Sequence, residues 1–206
     1  MGDLLIPKVT VILRGYDTKQ VLTVIEHLVG TRLSSVEVTS NSPNFLESIR
    51  IASREFGEDV LIGAGTITDF ELAKRSIDAG ASYLLSPIML SERTLAYAKE
   101  NGAITVPAAF TPTEIMQSFK AGADIVKVFP ACTLGPKYIT DVQAPLGRMP
   151  LMVVGGINAD NVQDYFDAGA TYAGIGSGIF NPSDIVQRNV ANIRNSIKRL
   201  ENSIAW

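Results

Sequence analysis

Ala121-Gly122-Ala123-Asp124-Ile125-Val126-Lys127-Val128-Phe129 holds a helix stop, a tight turn and a β-branched run in immediate succession. Glycine between two alanines fits the left-handed C-cap of a helix that hands over to a strand, and the run after it has the length and composition of a covered strand. The same device recurs as Ala79-Gly80-Ala81 and Ala168-Gly169-Ala170, each just ahead of another apolar run. Recurrence at similar places reads as a repeated helix-strand unit.

Working outward, strands are predicted at Val9–Arg14, Val36–Thr39, Val60–Gly63, Tyr83–Ser86, Ile104–Pro107, Ile125–Phe129, Leu151–Val154 and Tyr172–Ile175. Between them, helices are predicted at Lys19–Val29, Phe45–Phe56, Phe70–Ala79, Arg93–Glu100, Thr113–Lys120, Val162–Ala168 and Asp184–Leu200. In the last, Val186, Val190, Ile193, Ile197 and Leu200 keep the helical period. About eight such units imply a parallel sheet closed into a (β/α)₈ TIM barrel, a single domain over residues 1–206. An open doubly wound sheet is the alternative.

A net charge of -3 gives no basic stripe for a nucleic-acid backbone, whereas helix and loop amides can still hold one small phosphate. No apolar run is long enough to span a membrane, and no cleavable leader is recognised, so the cytoplasm is the expected location. The single cysteine, Cys132, forms no internal disulfide and reads as a small loop residue. His27 is the only histidine and is expected on the solvated side of its helix. Without an imidazole at the site, Ser-His, Cys-His and zinc schemes fall away. The aromatic residues are scattered and read as core.

Against this apolar pattern two residues are costly. Lys127 and Glu37, the latter in Ser35-Val36-Glu37-Val38-Thr39, each lie mid-strand between β-branched neighbours. Desolvation lowers a lysine pKa and raises a carboxyl pKa, which suits a nucleophilic amine and a proton shuttle. The plainer reading is a buried ion pair that fixes strand register. Two glycine turns, Gly155-Gly156 and Gly174-Ile175-Gly176-Ser177-Gly178, follow strands seven and eight, whose loops commonly form a phosphate site in such barrels. Arg14 and Thr66, at strand ends on the same face, can bind a carboxylate. Arg14 can equally be a surface cation and Thr66 a helix N-cap.

These residues together resemble the 2-keto-3-deoxy-phosphosugar aldolases, the family of phosphogluconate, phosphogalactonate and keto-hydroxyglutarate enzymes. The resemblance runs through Ile12-Leu13-Arg14-Gly15, Glu37-Val38-Thr39, Ile62-Gly63-Ala64-Gly65-Thr66, Lys127-Val128-Phe129-Pro130-Ala131, Val154-Gly155-Gly156-Ile157 and Gly174-Ile175-Gly176-Ser177. It implies a class I aldolase that cleaves a 2-keto-3-deoxy-6-phospho sugar acid to pyruvate and D-glyceraldehyde 3-phosphate. Lys127 corresponds to the Schiff-base lysine, Glu37 to the acid/base carboxylate, Arg14 and Thr66 to substrate-binding residues, and Gly156 and Ser177, with their neighbours Gly155 and Gly176, to the phosphate site. The resemblance implies no metal or organic cofactor and a homotrimeric assembly. Asn41-Ser42-Pro43 and Leu134-Gly135-Pro136-Lys137-Tyr138-Ile139 are more similar to the phosphogalactonate branch, since the phosphogluconate branch usually has arginine where Asn41 stands. Pro107-Ala108-Ala109 departs from the family's frequent Pro-Gly. A phosphate-binding barrel isomerase, epimerase or synthase, and a non-catalytic sugar-phosphate binder, are the competing readings.

Overall fold

Short apolar strands separated by amphipathic helices bury both sheet faces only if the sheet is parallel and covered, and the computed structural model, which describes residues 5–206, has that form. Residues 1–4 of the expected domain lie outside the described residues. The strands are β1 (Val9–Leu13), β2 (Ser35–Thr39), β3 (Leu61–Gly65), β4 (Tyr83–Leu85), β5 (Ile104–Val106), β6 (Ala108–Ala109), β7 (Val126–Val128), β8 (Leu151–Val154) and β9 (Tyr172–Ile175). All pair in parallel, in the order β5-β4-β3-β2-β1-β9-β8-β7-β6.

The two ends of that order are pieces of one stave. Pro107 has no N–H to give the ladder, so the predicted fifth strand is interrupted there and continues to Ala109. Its first piece pairs with β4 and its second with β7. Ala108 N–H donates to the Ile88 carbonyl (3.0 Å), and Lys127 N–H to the Pro107 carbonyl (2.8 Å), which carries the bonding across the break. Eight staves and their helices thus form the predicted (β/α)₈ barrel, and the open doubly wound alternative is excluded.

The helices are α1 (Thr18–Glu26), α2 (Phe45–Phe56), α3 (Phe70–Asp78), α4 (Glu92–Glu100), α5 (Pro112–Lys120), α6 (Ala131–Leu134), α7 (Pro136–Leu146), α8 (Val162–Asp167), α9 (Pro182–Val186) and α10 (Val190–Asn202). Gly80, Gly122 and Gly169 adopt φ of +103°, +101° and +103°. In each, the amide of the following alanine reaches back to the last helical turn, as Ala123 N–H does to the Ser118 carbonyl (3.0 Å). This is the Schellman closure that the tripeptides predict. Asn101-Gly102-Ala103 ends α4 in the same way.

Three expectations are corrected. Helices α6 and α7 occupy a stretch where none is predicted; Pro136 opens α7 at a position where its missing N–H costs nothing. The predicted helix Asp184–Leu200 is two helices, because Arg188 takes φ +52° and Asn189 restarts the chain as the N-cap of α10. Val186 and Val190 are consequently exposed, while Ile193, Ile197 and Leu200 stay buried. His27, the C-cap of α1, is half-buried with its Nε2 shielded and unpartnered among the described residues.

One apolar layer lies between staves and helices, and a second fills the barrel, with Ile12, Tyr83, Leu85, Val106, Ile125, Met152, Val154 and Tyr172. Glycines in the staves make room for it. A Cβ at Gly63 would collide with the Tyr83 ring, and one at Gly65 with the Glu37 carboxylate. Below the site, Thr10, Ser35 and Tyr83 link hydroxyls at 3.1 and 3.0 Å, which satisfies polar groups that the core would otherwise strand. No helix among the described residues is long and apolar enough to cross a membrane.

Candidate active site

Side chains alternate along a stave, so in β7 the residues flanking Val126 and Val128 face inward. Lys127 therefore shares the barrel interior with Ile125 and Phe129. It is 5% exposed, and its Nζ lies 4.9 Å from the centroid of the Phe129 ring. Glu37, on β2, is 2% exposed and stands beside Ile12 of β1 and Gly63 of β3 in the ladder. Its Oε2 is shielded from solvent and has no partner among the described residues.

The alternative reading, an ion pair that would fix register, is not met: Lys127 and Glu37 form no such pair within 4 Å. Among the described residues every ion pair within 4 Å is a surface pair such as Lys74–Asp78 or Lys137–Asp141. They interact through the field instead. Burial holds the Lys127 amine below the ordinary lysine range; the Glu37 charge works against this and the Arg14 charge with it. Burial pushes the Glu37 carboxyl up, opposed by Lys127 and then Arg14. In each case desolvation is the largest cause, so each group is shifted toward its neutral form.

Arg14, just beyond β1, gives one guanidinium nitrogen to Asn41 Oδ1 (3.2 Å) and to Thr66 Oγ1 (3.3 Å). The loop that carries it is tied down: Gly15, at φ +82°, donates its N–H to the buried Ser42 hydroxyl (2.9 Å), which in turn meets Thr39 Oγ1 (3.0 Å). Arg14 is thus an exposed but held cation. Thr66 is not the cap of α3, whose N-cap is Asp69 accepting from Leu72 N–H (2.8 Å). Instead Thr66 takes φ +60°, an outlier for a β-branched residue, of the kind that clusters at ligand-binding positions.

The two glycine turns meet at the rim. A Cβ at Gly178 would strike the Ile157 carbonyl, and one at Gly156 would lie 2.7 Å from Cys132 Sγ. Cys132 is exposed and lies in α6 rather than in a loop. Gly155 and Gly156 take φ of +96° and +73°. Among the described residues the amides of Gly156 and Ser177 donate to no acceptor, so both can serve an anion.

A cavity of about 410 Å³ opens between the loops after β1 and β9, lined by Ile12, Arg14, Tyr16, Gly176, Ser177 and Phe180 among others. It adjoins Arg14 rather than Lys127, so it is the outer part of the site, with the lysine and carboxylate below. Tyr16 and Phe129 pack against the core as the sequence predicts, and each also adjoins the candidate site, Tyr16 at the cavity and Phe129 beside Lys127. The place of Phe129 is signalled by its alternation with Lys127 on one stave; for Tyr16 no local signal exists.

A single-domain barrel with a desolvated lysine and carboxylate inside it, and amides free at its rim, belongs among the (β/α)₈ enzymes. More narrowly, the chain belongs to the KDPG and KHG aldolase family, carbon–carbon lyases, whose family model matches residues 4–196. A probable 2-dehydro-3-deoxy-6-phosphogalactonate aldolase of Rhizobium meliloti (strain 1021) is 34% identical over 187 residues, 88% of each chain. The 2-dehydro-3-deoxy-6-phosphogalactonate aldolase of Escherichia coli (strain K12) is 29% identical over 197 residues, 94% of each. A solved structure described as native KDPGal superposes with a TM-score of 0.86 at 27% identity, covering 98% of both chains. The resemblance read from the sequence holds.

The coupling of the two buried groups can be measured directly. In Glu37→Gln the charge that supports the ammonium is gone, leaving burial and Arg14 unopposed, so the Lys127 amine should lose its proton at lower pH than in the wild type. Following reductively ¹³C-methylated Lys127 by NMR across pH checks this; an unmoved titration would mean that the two groups do not sense each other.

Proposed function

We propose that the chain cleaves a 2-keto-3-deoxy-6-phospho sugar acid to pyruvate and D-glyceraldehyde 3-phosphate through an imine on Lys127, in the cytoplasm and without a metal or organic cofactor. The observation that carries this reading is a deeply buried amine, held toward its neutral form and in no ion pair within 4 Å, in one barrel with a carboxylate held toward its protonated form.

Neutral Lys127 adds to the C2 ketone, and loss of water gives an iminium that can accept electrons. Glu37, in its carboxylate form, takes the proton of the C4 hydroxyl as the C3–C4 bond breaks, and the bonding pair moves into the enamine. The aldehyde leaves as glyceraldehyde 3-phosphate. The enamine takes a proton at C3, and water hydrolyses the resulting imine to pyruvate and free lysine. Arg14 and Thr66 hold the carboxylate end, while the amides and hydroxyl of Gly155, Gly156, Gly176 and Ser177 hold the phosphate, so that remote binding orients the carbon chain over the amine.

The galactonate epimer is favoured as substrate. Asn41 is locked onto Arg14 where an arginine would add a second positive charge, and the relatives of Rhizobium meliloti and Escherichia coli described above are named for phosphogalactonate. Assembly as a homotrimer is carried over from the family resemblance, and Ile88 and Phe110, 50% and 39% exposed beside one small groove, are the contact residues offered for it.

Intact mass after incubation with pyruvate and borohydride should show a reduced pyruvyl adduct on the wild type and none on folded Lys127→Ala; a wild type without adduct would sink the imine mechanism in favour of an isomerase or a binding protein. Given turnover, the kcat/KM for the galactonate epimer should exceed that for the gluconate epimer, and a ratio of one or below refutes the epimer assignment. In sedimentation equilibrium the chain should run at three times its own mass. A monomer would count against the trimer.

A further inference from the structure

The outer cavity is walled mostly by hydrocarbon, with Ile12, Phe180, Pro182 and Ile185 around it. In such a pocket the few polar groups decide how a ligand lies. Three side chains supply them: Arg14, Ser177 and Tyr16. Arg14 is committed to Asn41 and Thr66, and Ser177 belongs to the proposed phosphate loop, which leaves Tyr16 without a role.

The chain has six tyrosines, and four of their hydroxyls are bonded within the protein. Tyr83 pairs with Ser35, Tyr138 donates to the Phe110 carbonyl, Tyr165 to the Ala131 carbonyl, and Tyr172 accepts from Leu5 N–H. Tyr97 lies on the outer helix layer, its ring 5.2 Å from that of Phe70. Tyr16 alone couples a half-buried ring to a hydroxyl with no partner among the described residues in a cavity beside the site. Its backbone is fixed one residue away by the Gly15–Ser42 hydrogen bond (2.9 Å).

We propose that Tyr16 is a substrate-binding residue whose phenol donates a hydrogen bond to the phosphate-bearing three-carbon half of the substrate, across the cavity from Ser177. The proposal rests on the aldolase reading above and extends it to a residue with no part in the chemistry at the lysine. Burial pushes the phenol pKa above its usual value, so the group remains a neutral donor wherever the enzyme works. The ring also packs against the main core, and a purely structural role would require only that ring.

Tyr16→Phe separates the two roles, because it keeps the ring and removes the donor. Loss of one neutral hydrogen bond corresponds to roughly a three- to tenfold weakening. The KM for the phosphorylated sugar acid and the inhibition constant of glyceraldehyde 3-phosphate should both rise by that factor. The kcat and the rate of pyruvyl adduct formation with borohydride should not change, since pyruvate does not reach this half of the site. An unmoved KM overturns the proposal, as does a parallel fall in adduct formation, which would place the effect at the lysine. A wild type that forms no adduct defeats the aldolase reading and this proposal with it; an adduct with an unmoved KM defeats this proposal alone.

Discussion

Removal from water is the interaction on which the site depends. Hydrocarbon fills most of the barrel interior, and into it the ladder places an amine and a carboxyl group that form no ion pair within 4 Å. A tight pair would favour the charged form of each, and an ammonium group has no lone pair with which to attack a ketone. Without such a pair desolvation is the largest cause of each shift, and their mutual field limits it. The Phe129 ring over the amine gives a protonated intermediate some favourable contact without supplying a counter-charge.

Around this interior, the rim loops are bonded both to one another and within themselves. Ser42 ties the first loop to the second, Ser40 Oγ reaches the Thr66 carbonyl at 3.0 Å, and Asn161 holds the Gly156 carbonyl at 2.9 Å. Each bond satisfies a backbone group at a loop where regular structure cannot. Groups proposed to bind the two ends of an elongated ligand are therefore held by bonds within the protein itself.

What could be read from the sequence was what is set locally. The staves declare themselves through β-branched runs, the αβ turns through glycines that alone tolerate φ near +100°, and Lys127 and Glu37 through the cost of charge in mid-strand. Misreadings arose where distant structure decides. Gly135 and Pro136 look like breakers, yet they open α7; nothing near Arg188 announces a left-handed residue in mid-helix. Pro107 splits a stave whose other edge still has a partner. Tyr16 gains its place from the loop after β9, some 160 residues away in the chain, and His27 is shielded although its helix pattern puts it outside.

The Glu37 carboxylate fills the volume that a side chain at position 65 would take. Positions 37 and 65, on neighbouring staves, thus share one volume. A side chain at 65 would displace the Glu37 carboxylate from the place it now holds, either by a change of its rotamer or by a shorter residue at 37. Substitutions at the two sites are therefore coupled and non-additive, with the position of the carboxylate as the quantity they share.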